Sequence, residues 1–463
     1  MQMLINGKAV GASDGATIDI INPATAKRID TVPAATQGDV KSAISYAHQA
    51  QPVWAAIPVH EKVDILLKFL SLVEQNHESL AQTLCAETGK PITEARAEIS
   101  NISIAFRAFC ERAKHLYGQT IPAGMEAGQE HHVLITRREP LGVIVAVIPF
   151  NFPCDLFDQK VAPALLAGNA VIVKPSTDNP LTLCRLTAYL NEAGVIPGAC
   201  QIVTGRGSTV GNWLCTDPDV DAITLTGSTE VGIETARHAA DHLAHAALEL
   251  GGNDAFILLA DGDVDLAVDE LVWGRMYNTG QVCCASKRFL IQRSRVEEFT
   301  EKAIKRISSL KQGDPTADDT QLGCLISEKA AIKAEKQIEL TVQQGGKVVF
   351  GGHRNGAFLE PTVIKDVPPT VDVARDMEIF APKIANSSKF GLCGCVFTAN
   401  MKDAVSVGAA LECGGVVING ASFFRSFEMP FGGYKYSGIG TEGVMSTFDE
   451  VTHTKTVVLK NIC

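Results

Sequence analysis

Apolar and polar positions change their rhythm twice along this chain. From about residue 59 to 116 apolar residues recur at helical spacing. Ile99, Ile102, Phe106 and Phe109 share one face, and Gly89 followed by Pro91 punctuates the preceding helix. From Val143 short apolar runs alternate with helical stretches, and strands are predicted at Val143–Ile148, Ala170–Val173, Gln201–Val203, Ala222–Leu225 and Ala247–Leu250. That alternation predicts an α/β fold, a parallel sheet covered on both faces. A second strand–helix series runs from Ala255 to Asn419. The segment Val451–Leu459 begins with apolar–polar alternation, which predicts a strand with one dry face, and His132–Arg137 reads alike. Lying outside the main series, both are candidates for an arm that pairs with another subunit.

Length and charge narrow the classes. A chain of 463 residues is too long for one ordinary core. The net charge of −11 argues against a nucleic-acid surface, which needs clustered Lys and Arg. The start, Met1-Gln2-Met3-Leu4, lacks the regions of a signal peptide, and no apolar run approaches the ~20 residues of a membrane span. Thirteen cysteines without an export signal predict reduced thiols and a cytoplasmic protein. His238, His242 and His245 are spaced to share a helical face, but without a further ligand they predict a solvated face and no metal site.

Candidate chemistry lies at the strand ends. Cys283 closes the turn Asn278-Thr279-Gly280-Gln281-Val282-Cys283, with Arg288 five residues on. A thiol on a turn can meet a substrate, although free cysteine also serves as a small buried hydrophobe. Asn151 stands in Pro149-Phe150-Asn151-Phe152-Pro153, where a stiffened amide can donate to an oxyanion or merely form a turn. Glu249, in Leu248-Glu249-Leu250-Gly251-Gly252, is an acid at an apolar strand end: a general base if buried, or an ion-pair partner. The run Thr226-Gly227-Ser228-Thr229-Glu230-Val231-Gly232 opens a helix that can receive a phosphate, though an N-cap explains Ser228 equally well. Lys174-Pro175-Ser176-Thr177 and Gly205-Arg206-Gly207-Ser208 follow two further strands. Glu378 and Phe380 precede Ala381-Pro382, and Pro430–Gly438 is a rigid glycine-rich loop carrying Phe431.

In this order and spacing, from Leu4 to Leu459, the segments resemble the aldehyde dehydrogenase superfamily. The resemblance implies a Rossmann-like NAD(P) domain from residues 1–118 and 141–251, a catalytic domain over 252–444, and an oligomerisation arm from 119–140 and 445–463. It implies that Cys283 attacks an aldehyde, that Asn151 and the Cys283 N–H hold the oxyanion, and that Glu249 activates the hydrolytic water. Lys174 and Glu378 would hold the cofactor riboses and Ser228 the pyrophosphate. Pro149, Phe150, Ser176, Thr177, Arg206, Gly207, Thr226, Gly227, Gly232, Leu250, Gly251 and Phe380 complete the expected cofactor contacts. Gln159, Tyr277, Val282 and Phe431 would face the substrate. A homodimer or homotetramer is expected.

Departures from the family pattern refine these expectations. Thr177 stands where NAD-preferring relatives carry glutamate, so the lean is towards NADP, with Arg206 available to a 2′-phosphate. Gln159 and Tyr277 replace the arginines of succinate-semialdehyde relatives, leaving that substrate as the alternative. The resemblance is nearest the lactaldehyde and non-phosphorylating glyceraldehyde-3-phosphate branch, which makes a small hydroxyaldehyde such as lactaldehyde the expected substrate. After Pro382 only Lys383 intervenes before Ile384, so a strand and the start of a helix are expected to be missing. The rival reading is therefore a non-catalytic protein of the same fold, serving in binding or structure.

Overall fold

The computed structural model describes residues 1–368, 385–386 and 388–462. The expected helical interval holds Val59–Gln75, His77–Thr88 and α1 (Ile92–Ala113). Ile99, Ile102, Phe106 and Phe109 are fully buried. Gly89 ends the second helix at φ 76°, where a side chain would strike Cys324 Sγ at 2.4 Å.

The strand–helix alternation builds one sheet from β1 (Val143–Val147), β2 (Ala170–Lys174), β3 (Cys200–Ile202), β4 (Ala222–Thr226) and β5 (His245–Glu249). Helices α2 (Pro153–Ala167) and α3 (Thr229–His242) follow β1 and β4. Successive residues enter opposite cores: Ile144 and Ala146 pack with α1 and α2, whereas Val143 and Val145 pack with the helix Gln37–Ala56. The strands lie parallel in the order β5-β4-β1-β2-β3, extended by the hairpin Met3–Ile5 and Lys8–Val10. Strand order reverses at β1, the place beyond whose carboxyl end open parallel sheets bind ligands. Val147 is level with Lys174 and Leu225, and Thr226 with Glu249, so the candidate motifs share one edge.

One expectation fails here. His242 ends α3 and His245 opens β5, so the three histidines share no helical face. His238 faces Glu234 at 3.6 Å and His245 faces Glu450 at 2.6 Å.

Only residues 250–253 join β5 to a second parallel sheet. It contains β6 (Asp254–Leu258), β7 (Ser286–Ile291), β8 (Cys393–Phe397) and β9 (Gly415–Ile418) in the order β7-β6-β8-β9. A third sheet pairs Thr452–Leu459 antiparallel with Val133–Pro140, flanked by Thr120–Ile121. Within that last strand only Thr452 is buried, so the dry face read from its alternation does not form in the single chain. Val458 and Leu459 face outward instead. The stretch after Pro382, with Glu378 and Phe380, lies outside the described residues. Among the described residues no helix is long and apolar enough to cross a membrane.

Candidate active site

The cysteine turn is held in an unfavourable backbone. Asn278, Thr279 and Gly280 are left-handed in succession, with φ of 49°, 53° and 76°. For the two residues with side chains this costs on the order of 1–3 kcal/mol each. Surrounding bonds compensate: the Asn278 N–H donates to Glu94 (2.8 Å) and its side chain to the Asn151 carbonyl (2.9 Å). Gln281 donates to the Asn278 carbonyl and accepts from the Ile326 N–H. A side chain at Gly280 would lie 2.2 Å from the Arg275 guanidinium, which donates to the Gly280 carbonyl at 2.9 Å.

Cys283 follows this turn and is half-buried. Lys287 donates to its carbonyl at 2.6 Å and to that of Val282 at 3.3 Å. The neighbouring Cys284 thiol hydrogen-bonds to Cys283 and lowers its pKa; burial opposes this, and Lys287 and Arg425 add to the lowering, leaving it at about 7. Cys284, read from the sequence as a packing residue, is buried beside Val282, Ala285, Leu392 and Phe431. Asn151 reaches the same place from the other side. Its carbonyl accepts from both Asn278 and Lys90, each at 2.9 Å, and Lys90 is itself buried against Glu98 and over the Phe152 ring.

Glu249 is 5% exposed, and neither carboxylate oxygen has a partner among the described residues. Burial and then the charge of Glu442 push its pKa well above the usual carboxylate range. Glu442 behaves oppositely. Burial would raise it, but Lys160 (2.9 Å) and Arg425 (2.8 Å) hold it at about 2. The loop ending at Gly438 lies along β5, with a bridge to Glu249 and the Ser437 carbonyl accepting from the Leu250 N–H at 2.9 Å. Two carboxylates with opposed affinities for protons thus stand near one reactive thiol, an arrangement suited to nucleophilic attack followed by base-assisted hydrolysis.

The four expected substrate residues separate. Phe431 and Val282 pack in the small cluster on which Cys283 rests. Tyr277 stacks on Phe152 with centroids 6.0 Å apart and meets Phe423 at 5.2 Å. Gln159 is buried, accepts from the Gly443 N–H at 3.3 Å, and lines a narrow cavity beneath Glu249 with Lys160 and Glu442. Sequence reasoning missed Lys160, Lys287, Arg425 and Glu442. A signal existed for Lys160, a cation in a helix whose neighbours Val161, Ala162 and Pro163 are apolar, and for Arg425, which follows Phe423 and Phe424.

The carboxyl edge of the first sheet gathers most of the nucleotide candidates. Pro149 and Phe150 follow β1, and the Phe150 carbonyl accepts from Asn179 at 2.9 Å. Lys174 ends β2 nearly fully buried, its ammonium on the Pro175 carbonyl at 2.5 Å; burial lowers its pKa to about 8. Ser176 accepts from the Asp178 N–H, and Thr177 donates to the Gly205 carbonyl at 3.3 Å. Arg206 is exposed, its charge acting on Asp178; Gly207 beside it has open space around its Cα. Thr226 and Gly227 lead to Ser228, the N-cap of α3, which accepts from the Val231 N–H. A side chain at Gly232 would lie 2.4 Å from Leu250, so α3 approaches the end of β5 only because that position is glycine. Gly251 is open on that side. Free N–H groups of a 14-residue helix, a buried lysine and an exposed arginine at one edge fit a dinucleotide.

The sequence model of the aldehyde dehydrogenase family matches residues 10–457. The chain belongs to this family. As an aldehyde dehydrogenase it is an oxidoreductase that oxidises aldehydes with NAD(P). It is 33% identical to the lactaldehyde dehydrogenase of Methanococcus vannielii, across 99% of this chain and all of that one. It is 35% identical to the NADP(+) succinate-semialdehyde dehydrogenase GabD of Escherichia coli K12, across 96% and 94%. Its fold matches the crystal structure of an E. coli NADP-dependent enzyme with a TM-score of 0.95 at 34% identity, covering 99% and 98%. It matches the NAD+ complex of the Bacillus cereus aldehyde dehydrogenase equally well, at 32% identity over 99% and 96%.

Proposed function

We propose that this aldehyde dehydrogenase oxidises a small hydroxyaldehyde such as lactaldehyde, with Cys283, Asn151 and Glu249 as its catalytic residues. The carrying observation is the pairing of a half-buried thiol held at about 7 with a buried, unpartnered carboxyl whose pKa is raised. Cys283 attacks the aldehyde carbon as thiolate. The developing oxyanion accepts from the Asn151 amide and the Cys283 N–H. Bound NAD(P) supplies the hydride acceptor. Glu249 takes a proton from the water that cleaves the resulting thioester on Cys283, releasing the acid. In this reading Lys174 holds ribose hydroxyls, and Ser228 with the α3 N-terminus holds the pyrophosphate.

NADP is favoured. No carboxylate occupies position 177, and the charges of Lys174, Lys329 and Arg206 all bear on the neighbouring Asp178. Similarity to lactaldehyde dehydrogenases of several methanogens supports the substrate, and the absence of arginine at Gln159 and Tyr277 weighs against succinate semialdehyde. The outward Val458 and Leu459 support a homodimer or homotetramer built through the third sheet. The twelve described cysteines are free thiols, which supports a reducing, cytoplasmic setting. The test is reduced-nicotinamide formation from lactaldehyde, glyceraldehyde and succinate semialdehyde with each cofactor, beside Cys283→Ala. Turnover of lactaldehyde with NADP, lost in the mutant, is expected. A folded wild type without turnover of any aldehyde overturns the proposal.

A further inference from the structure

We infer that Arg425 determines substrate specificity by donating to an oxygen on the carbon beside the aldehyde. This rests on the hydroxyaldehyde reading and adds the residue that recognises the hydroxyl. Arg425 donates through Nη2 to Glu442 at 2.8 Å, and its guanidinium lies 4.2 Å over the Phe431 ring. Phe431 packs in the cluster against which Cys283 rests. The same charge acts on Cys283, Glu249 and Asp155, which places it amid the reacting groups. Nη1 and Nε make no hydrogen bond among the described residues, although Nε is buried and only a quarter of the side chain is exposed. A guanidinium held on two sides with donors unfilled is a recognition element for an acceptor oxygen.

Its surroundings select which acceptor. Arg425 is already paired with Glu442, so a second anion would be stripped of water beside aromatic rings for a guanidinium whose charge is largely met. A neutral hydroxyl fills the free donors at a smaller desolvation cost. The adjoining rings of Phe152, Phe423 and Tyr277 give apolar contact to a short carbon chain. The selected substrate is therefore a short, uncharged 2-hydroxyaldehyde, ahead of both the plain aldehyde and a carboxylate-bearing one.

The experiment compares kcat/KM for lactaldehyde, propanal and succinate semialdehyde in wild type, Arg425→Met and Arg425→Lys, with near-UV circular dichroism reporting an intact fold. Propanal differs from lactaldehyde only in lacking the hydroxyl, so their ratio cancels any general damage from disturbing Glu442. The wild type is expected to prefer lactaldehyde, and Arg425→Met to lose about 10- to 100-fold of that preference, the size of a charge-assisted hydrogen bond. Arg425→Lys, which keeps the charge but not the fork, should fall between and carries the comparison if the methionine variant does not fold. A wild-type ratio surviving in either folded variant overturns the role of Arg425 alone. A wild type that turns over propanal as well as lactaldehyde, or prefers succinate semialdehyde, removes the hydroxyaldehyde reading and this inference with it.

Discussion

Replacing Cys284 with alanine should blunt the nucleophile without touching the substrate. The Cys284 thiol is the largest influence lowering the Cys283 pKa from its ordinary 9.0 to about 7. Such a shift corresponds to roughly 2.7 kcal/mol in favour of thiolate and raises its fraction at neutral pH from about 1% to about half. Alanine removes that hydrogen bond and leaves the charges of Lys287 and Arg425 to work against burial. The pKa of Cys283 should then climb above about 8, and alkylation at pH 7 should slow by about 5- to 20-fold. The assay is the rate of single iodoacetamide addition, read by intact mass from pH 5.5 to 10, with Cys283→Ala as background. That background should be slow, because burial pushes Cys85, Cys110, Cys200, Cys215, Cys324 and Cys395 to about 12. A wild-type midpoint near 9, or one unmoved in Cys284→Ala, refutes the reasoning.

Other consequences are as direct. Glu249→Gln should retain one rapid equivalent of reduced nicotinamide per subunit while steady turnover falls by about 10²- to 10⁴-fold; an unchanged steady rate would sink its role as base. Glu442→Gln leaves Lys160 and Arg425 buried without their shared anion and should cost about 3–5 kcal/mol in urea unfolding at pH 7. Because the Glu442 pKa is depressed on folding, its stabilisation is present above the ordinary 4.5 and is lost as pH falls towards 2. The gap between wild type and mutant must therefore narrow at pH 3, and a gap that widens there contradicts the ion-pair account. Thr177→Glu with Arg206→Ala should move the kcat/KM ratio of NADP to NAD by at least about tenfold towards NAD. No movement would count against both residues as readers of the 2′-phosphate.

Much of the first sheet was legible because its parallel strands are buried, so each stands out as a short apolar run between helices. Residues of β1 to β5 were placed within a residue or two, and Gly89 marked its helix end. Where Cys283, Asn151 and Glu249, the proposed catalytic residues, would stand was legible because each lies in a short motif whose local chain determines its position. The polar core beneath them was not. Lys160 and Glu442 are 282 positions apart, and neither carries a local sign of the other. Arg425 likewise gains its meaning only from Glu442 and Phe431. The histidine trio erred for a related reason: spacing continued a helix past Leu243, whose left-handed φ of 60° ends it and lets His245 join β5.

The Asn151 carbonyl, shared by Lys90 and Asn278, ties the loop beyond β1 to the turn before β7. These segments belong to different sheets, and independent thermal motion of the two would smear the Cys283–Asn151 distance on which the proposed attack depends. A common anchor makes their displacements correlated, so that separation varies less than either position does. Breathing between the two sheets can then leave the Cys283–Asn151 separation in registration.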